Sequence, residues 1–322
     1  MKSTKGKRLY IQEVSVRDGF QIEPKFIPTE QKVALVNRLS RTGLAKIEVT
    51  SFVSPKAVPA LADAQAVMQL IDRVEGVIYA ALVPNARGCE RALSCGVDEI
   101  NLVMSASDSH GIANLHMSTE QSLATFPGVM KLLEGTDVAV NVALSTAFGC
   151  PFDGHVSPAR VLRIVERCQQ LGVEGISLCD TTGMANPAQV ASLLGEVRSL
   201  APQMRITAHF HNTRGMGLAN ALAALDAGVD RFDASLGGLG GCPFAPDATG
   251  NVCTEDLVHM FAKMGCDTGV DLEMLLAIAR DLPAIVGHEV PGQVMKAGPS
   301  DRRYPPPPAV RAGMDNQGVG MA

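Results

Sequence analysis

Short apolar, β-branched runs recur along the chain at residues 9–16, 46–52, 77–83, 99–105, 137–144, 175–179, 205–211 and 231–236, bounded by turn-forming residues. Between them the apolar spacing changes to the helical period. Val161, Leu162, Ile164, Val165, Cys168 and Leu171 fall on one stripe that opens at Ser157-Pro158 and stops at Gly172. Asn186-Pro187 opens another helix in the same way. Ser118-Thr119-Glu120-Gln121 has the form of a capping box, and Thr29 follows Pro28 ahead of a helix that ends at Gly43. Repeated strand-then-helix units require parallel pairing through right-handed crossovers. Eight such units in about 260 residues fit a single α/β domain, a closed (β/α)8 TIM barrel. An open doubly wound sheet is the rival. It places a glycine-rich phosphate turn after the first strand, where this chain has Arg17-Asp18-Gly19-Phe20-Gln21. The barrel and a C-terminal helical segment are expected over residues 1–290. Residues 291–322, where four prolines follow Tyr304, are expected to be disordered or to form an extended arm.

Composition narrows the class of protein. Of 322 residues, 46% are hydrophobic and only 19% charged, ample for a large core. A net charge of −5, 4% aromatic residues and no tryptophan argue against a nucleic-acid partner. No apolar run reaches the roughly 18 residues that a membrane span needs, and the basic start of the chain is not followed by a signal-type apolar stretch. These features point to a soluble, cytoplasmic protein. Its eight cysteines form no CxxC pairs and are expected to be reduced, mostly core, thiols.

The chemistry collects at the C-terminal ends of the predicted strands, which is where such barrels carry their sites. His209 and His211, two residues apart, project from one face of the seventh strand. Asp18 at the end of the first strand and the amide of Asn251 beyond the last complete a mixed nitrogen and oxygen set suited to a hard or borderline divalent ion. Arg17 is a candidate cation for charge that develops in a transition state, and Glu48 a carboxylate placed to hold it. Asp180 is read as a reaction-site acid in preference to a helix cap. Gln21, Ser51, Ser145 and Thr181 stand on the same rim as candidate substrate contacts. The glycine-rich segment Ser235-Leu-Gly-Gly-Leu-Gly-Gly-Cys242-Pro allows close approach to a ligand and puts a thiol at its tip, a usable proton donor. Cys150, in a similar Gly-Cys-Pro-Phe stretch, is either a second rim thiol or a buried turn residue.

Taken together, Arg17-Asp18-Gly19-x-Gln21-x-Glu23, Ile47-Glu48-x-Thr50-Ser51-Phe52-Val53-Ser54-Pro55-Lys56, Gly149-Cys150-Pro151, Asp180-Thr181-x-Gly183, His209-x-His211 and Gly238-Leu-Gly-Gly-Cys242-Pro through Gly250-Asn251 resemble the 3-hydroxy-3-methylglutaryl-CoA lyase family, from about residue 8 to about residue 285. The resemblance implies that Asp18, His209, His211 and Asn251 bind magnesium or manganese. It also implies that Arg17 is the catalytic cation, that Glu48 and Asp180 are supporting polar groups at the site, and that Cys242 is the thiol of a mobile loop. The implied reaction is a retro-Claisen cleavage of an acyl-CoA to acetyl-CoA and a 3-oxo acid, by a dimeric enzyme. Either His209 or Asp18 serves as base. Phe20, Ile22, Asn212, Leu236-Gly237 and Phe244 depart from the family pattern, which leaves the acyl group open to a related 3-hydroxyacyl-CoA. A condensing synthase or 2-oxo-acid aldolase of the same superfamily, and a non-catalytic metal-bound scaffold, are the rivals.

Overall fold

The computed structural model describes residues 4–241 and 250–305. All eight expected strands form: β1 (Tyr10–Glu13), β2 (Lys46–Ser51), β3 (Ile78–Val83), β4 (Glu99–Ser105), β5 (Ala139–Ser145), β6 (Gly175–Asp180), β7 (Arg205–Phe210) and β8 (Arg231–Ala234). Each pairs in parallel with the next, and β8 closes on β1 through Tyr10 with Arg231 to Glu13 with Ala234. The chain is therefore the closed TIM barrel that its periodicity implies. The connecting helices are α1 (Thr29–Leu39), α2 (Ala64–Leu70), α3 (Ala86–Leu93), α4 (Asp108–Leu115), α5 (Thr119–Leu133), α6 (Pro158–Gln170), α7 (Pro187–Leu200) and α8 (Gly217–Asp226). After β8 come α9 (Thr254–Lys263), α10 (Leu272–Val286) and the single turn α11 (Val294–Ala297). The cap signals act as their sequences suggest. Ser118 and Gln121 form a reciprocal capping box on α5, and Ser157 and Asn186 accept from backbone N–H groups in the first turns of α6 and α7.

Alternation along the strands separates two interiors. Ile100, Leu102 and Met104 of β4, Val140, Val142 and Leu144 of β5, and Ile176 and Leu178 of β6 face outward into the apolar core between sheet and helices. Their neighbours Glu99, Asn101, Asn141 and Ser177 point into the barrel, which is polar. A buried Lys46–Glu99 ion pair, 2.7 Å long, closes its floor. Above it a hydrogen-bonded chain crosses the barrel: Asn141 Nδ2 donates to Ser177 Oγ (3.0 Å) and Asn101 Oδ1 (2.9 Å), and Asn101 Nδ2 donates to Glu48 Oε1 (2.6 Å).

Three local features differ from simple strand and tail expectations. β1 stops at Glu13 instead of reaching residue 16, because the chain winds at once into a wide helical turn, Ser15–Gly19, with Asp18 N–H bonded to Val14 O at 2.7 Å. The buried Glu13 carboxylate secures that turn by accepting from the N–H groups of Ser15 and Leu236 and from the Thr254 hydroxyl. A register shift between Glu48 and Thr50 interrupts the even alternation of β2. Beyond residue 290, α11 lies within the stretch expected to be extended, with Met295 buried in the core. All seven described cysteines are buried and unbridged, and among the described residues no helix is long and apolar enough to cross a membrane.

Candidate metal centre and active site

The wound turn after β1 brings Arg17 and Asp18 onto the C-terminal rim, where β7 delivers His209 and His211. Backbone bonds from Val252 N–H to Phe210 O (2.9 Å) and from Asn212 N–H to Gly250 O (2.9 Å) lay residues 250–252 along the end of β7. Asn251 is thereby set opposite His211. One ligand atom from each of Asp18, His209 and His211 lies within 4.8 Å of the others, the one such grouping of three among the described residues. The two Nε2 atoms face each other at 3.3 Å. Asn251 donates through Nδ2 to Asp18 Oδ2 (2.6 Å) and Leu239 O (3.0 Å), while its buried Oδ1 has no hydrogen-bond partner. A buried carbonyl oxygen without a donor is costly unless something positive approaches it. The orphaned oxygen, the facing imidazole nitrogens and the carboxylate together fit a divalent cation. Gly240 leaves room for this cluster: a Cβ there would meet Asn251 Nδ2 at 2.5 Å.

Charge is arranged as tightly as the ligands. Arg17 donates through Nε to Glu48 Oε2 at 2.5 Å and through Nη1 to Asp18 Oδ1 at 2.6 Å, all three side chains being buried. Burial works against both charges of the Arg17–Asp18 pair, but the ion pairs outweigh it. Glu48 and Asp18 push the guanidinium above its ordinary range. Arg17, the two imidazoles and Asn251 hold Asp18 down to about 2. His209 Nδ1 lies 3.2 Å from Asp233 Oδ2, and that carboxylate lifts His209 against the opposing effect of burial. Asp233 thus fixes the ring with Nε2 toward Asp18 and His211. Sequence reading passed over it, although it shares the inward parity of β8 with Ser235.

These groups line a cavity of about 170 Å³ together with Gln21, Asn101, Ser145, Ser177, Cys179, Thr181 and His110. Gln21, Ser145 and Thr181 therefore stand where substrate contacts are expected. Ser51 does not line it; its buried hydroxyl accepts from Val53 N–H within the β2–α2 connection. Asp180 requires a correction. Cys179 and Thr181 on either side line the cavity, whereas the Asp180 carboxylate accepts from the N–H groups of Met184 (2.7 Å) and Ala185 (3.1 Å) and shapes the turn before α7. Burial raises it to about 6. Its geometry serves the turn that leads to the Asn186 cap of α7. Cys150 is the buried turn residue, its sulfur accepting from Ser107 and from the N–H groups of Phe152 and Asp153. Cys242 lies outside the described residues.

Residues 8–282 match the HMGL-like family. The hydroxymethylglutaryl-CoA lyase of Bacillus subtilis is 46% identical over 89% of this chain and 96% of its own length. The (R)-citramalyl-CoA lyase of Chloroflexus aurantiacus is 44% identical over 90% of this chain and 94% of its own. Among solved structures, an HMG-CoA lyase from Acinetobacter baumannii in complex with coenzyme A and 3-methylmalate is 48% identical, with a TM-score of 0.90 over 95% of this chain and 99% of that one.

Proposed function

The chain belongs to the HMGL-like family, and on that premise we propose that it is a divalent-metal-dependent carbon–carbon lyase that cleaves 3-hydroxy-3-methylglutaryl-CoA to acetyl-CoA and acetoacetate. The observation that carries this reading is the convergence of Asp18, His209 and His211 beside the orphaned Asn251 oxygen, one side chain away from a buried, doubly paired arginine.

A bound magnesium or manganese ion would supply the positive charge that makes the tertiary hydroxyl of the substrate easier to ionise. Asp18, His209, His211 and the Asn251 carbonyl are the residues to hold it. Cleavage then needs the hydroxyl proton to leave, the C2–C3 bond to break as the new carbonyl forms, and the electron pair to settle on the thioester enolate. Asp18 takes the proton, since His209 has Nε2 in the ligand cluster and Nδ1 at Asp233. Arg17 faces the enolate with its charge already oriented by Glu48, which Asn101 holds in turn, so little reorganisation is required during the reaction. Gln21, Ser145 and Thr181 supply neutral hydrogen bonds around the acyl group. The family resemblance assigns protonation of the enolate carbon to the Cys242 thiol. It also supports an acyl-CoA partner, a homodimer and a cytoplasmic setting.

Purified protein with magnesium or manganese is expected to release acetyl-CoA from 3-hydroxy-3-methylglutaryl-CoA, to stop when treated with a chelator, and to prefer this substrate over (R)-citramalyl-CoA. No release of acetyl-CoA from the first substrate under saturating metal would sink the reading.

A further inference from the structure

In the closed strand order β3, β4 and β5 lie across the barrel from β7, β8 and β1, the strands that lead to His209, His211, Asp233 and Asp18. The far wall of the cavity is of another kind. Val103 of β4 and Ala143 of β5 are paired in register, and both line the cavity. Asn101 pairs with Asn141 one layer below them, and Ser105 with Ser145 one layer above. Two apolar side chains are thus set between two polar layers. Both are half-buried, whereas Leu102, Met104, Val142 and Leu144 beside them are buried in the core. Leu82 of β3, in register with Asn101, continues the apolar surface, together with Val58 of the β2–α2 connection and Leu115 at the end of α4. None of these residues belongs to the apolar core between sheet and helices. Packing of the barrel therefore does not account for them. Apolar surface left facing water contributes nothing to stability, and it gains free energy when an apolar part of a ligand covers it.

Tetrahedral geometry at the reacting carbon says which part of a substrate fits this wall. C3 of 3-hydroxy-3-methylglutaryl-CoA carries a hydroxyl, a thioester arm, a carboxymethyl arm and a methyl branch. The metal centre takes the hydroxyl, and Arg17 faces the thioester arm. A carboxylate pressed against Val103 and Leu82 would lose its water without gaining a donor, whereas a methyl group gains by leaving water. The branch is the substituent that suits the far wall. A cavity of about 170 Å³ is small enough that a carbon whose hydroxyl is anchored at one side brings its branch to the other.

We propose that Leu82, Val103 and Ala143 form the seat of the alkyl branch at C3 and that Ala143, the smallest side chain of the three, sets how large a branch is accepted. The enzyme thereby selects tertiary 3-hydroxy-3-alkyl acyl-CoA substrates over the secondary alcohol that lacks the branch. The proposal rests on the lyase reading of the same cavity. One carbon more or less in an apolar pocket is worth about 10- to 200-fold in discrimination. Ala143→Val puts two methyl groups where the branch lies, and Val103→Ala removes two from beside it, so the pair of substitutions closes and opens the same seat from neighbouring strands.

The test measures acetyl-CoA release at saturating Mn2+ from 3-hydroxy-3-methylglutaryl-CoA, from its 3-ethyl homologue and from 3-hydroxyglutaryl-CoA, which has hydrogen in place of the methyl group. The full-length wild type, Ala143→Val and Val103→Ala are compared, with Mn2+ affinity measured alongside. Setting each ratio of kcat/KM values against the wild-type ratio cancels the intrinsic reactivity of the three alcohols. Ala143→Val is expected to lower the methyl-to-hydrogen ratio about 10- to 200-fold, and Val103→Ala to raise the ethyl-to-methyl ratio about tenfold, both binding Mn2+ as the wild type does. An unchanged methyl-to-hydrogen ratio in Ala143→Val, or an unchanged ethyl-to-methyl ratio in Val103→Ala, overturns the proposal. Equal loss on all three substrates would assign the wall a structural role and overturn it as well. If the wild type cleaves none of the three, the lyase reading itself has failed, a result distinct from these.

Discussion

Replacing Arg17 by methionine and by lysine separates its charge from its fork. The guanidinium holds Glu48 at 2.5 Å and Asp18 at 2.6 Å through two different nitrogens. Methionine removes the charge that would face the enolate, and deleting one preorganised donor of this kind costs about 3–4 kcal/mol of barrier, or 10²- to 10³-fold in kcat. It also leaves two buried carboxylates without their partner, a loss of about 3–5 kcal/mol in stability for a broken buried pair. Lysine keeps a cation, but a single ammonium cannot reach both carboxylates with the same geometry. Its charge shifts by about 1 Å, enough for a roughly 10²-fold loss in rate with most of the stability retained. The assay is steady-state acetyl-CoA release at saturating Mn2+, with Mn2+ affinity by calorimetry and urea unfolding on the same preparations. Both variants should keep KM within about threefold, since the interaction strengthens only as negative charge builds. A folded, metal-binding methionine variant with near-normal kcat would remove Arg17 from the reaction, and loss of Mn2+ binding in the lysine variant would make its role one of site assembly.

Asp233→Asn takes away the carboxylate that holds His209 Nδ1 at 3.2 Å and should weaken Mn2+ binding about 10- to 100-fold by calorimetry, with the fold intact by circular dichroism; unchanged affinity would show that the ring needs no such support. Asn251→Ala removes the orphaned oxygen and the donor to Asp18, and is expected to cost about tenfold or more in Mn2+ affinity by the same measurement; wild-type affinity would take Asn251 out of the ligand set. Glu255 is pushed by burial from 4.5 to about 7. The folded protein therefore keeps a proton that the unfolded chain releases, so the contribution of this group is complete below pH 4.5 and is lost as pH rises to about 7, a change of about 3 kcal/mol. Urea titrations at several pH values should show Glu255→Gln flattening this part of the profile; an unchanged slope would mean that Glu255 is ionised in the folded state.

Most of the architecture is legible because strand and helix leave different periods in the sequence, and the metal cluster because His209-x-His211 can share a face only on a strand. Facing and register were harder to read. Asp180 looked like a reaction-site acid because the residue type and rim position allow it, but one step of strand parity turns it to the backbone of Met184 and Ala185. The shift between Glu48 and Thr50 likewise depends on pairing with β3, which no local pattern records. Asp233 was overlooked because its four-residue strand reads mainly through Phe232 and Ala234, and period-2 counting from Ser235 would have found it. Cys242, the most informative residue of the glycine-rich segment, lies outside the described residues.

The three clustered candidate ligands and Asn251 come from the start of the chain, from the end of β7 and from the stretch after β8, so they flank the seam where the last strand meets the first. A nascent or partly refolded chain that has not yet joined its two ends has no place to hold the ion, however complete the intervening strands. Metal uptake during refolding should therefore be among the latest events, and an ion bound there would act as a clasp that slows reopening of the ring.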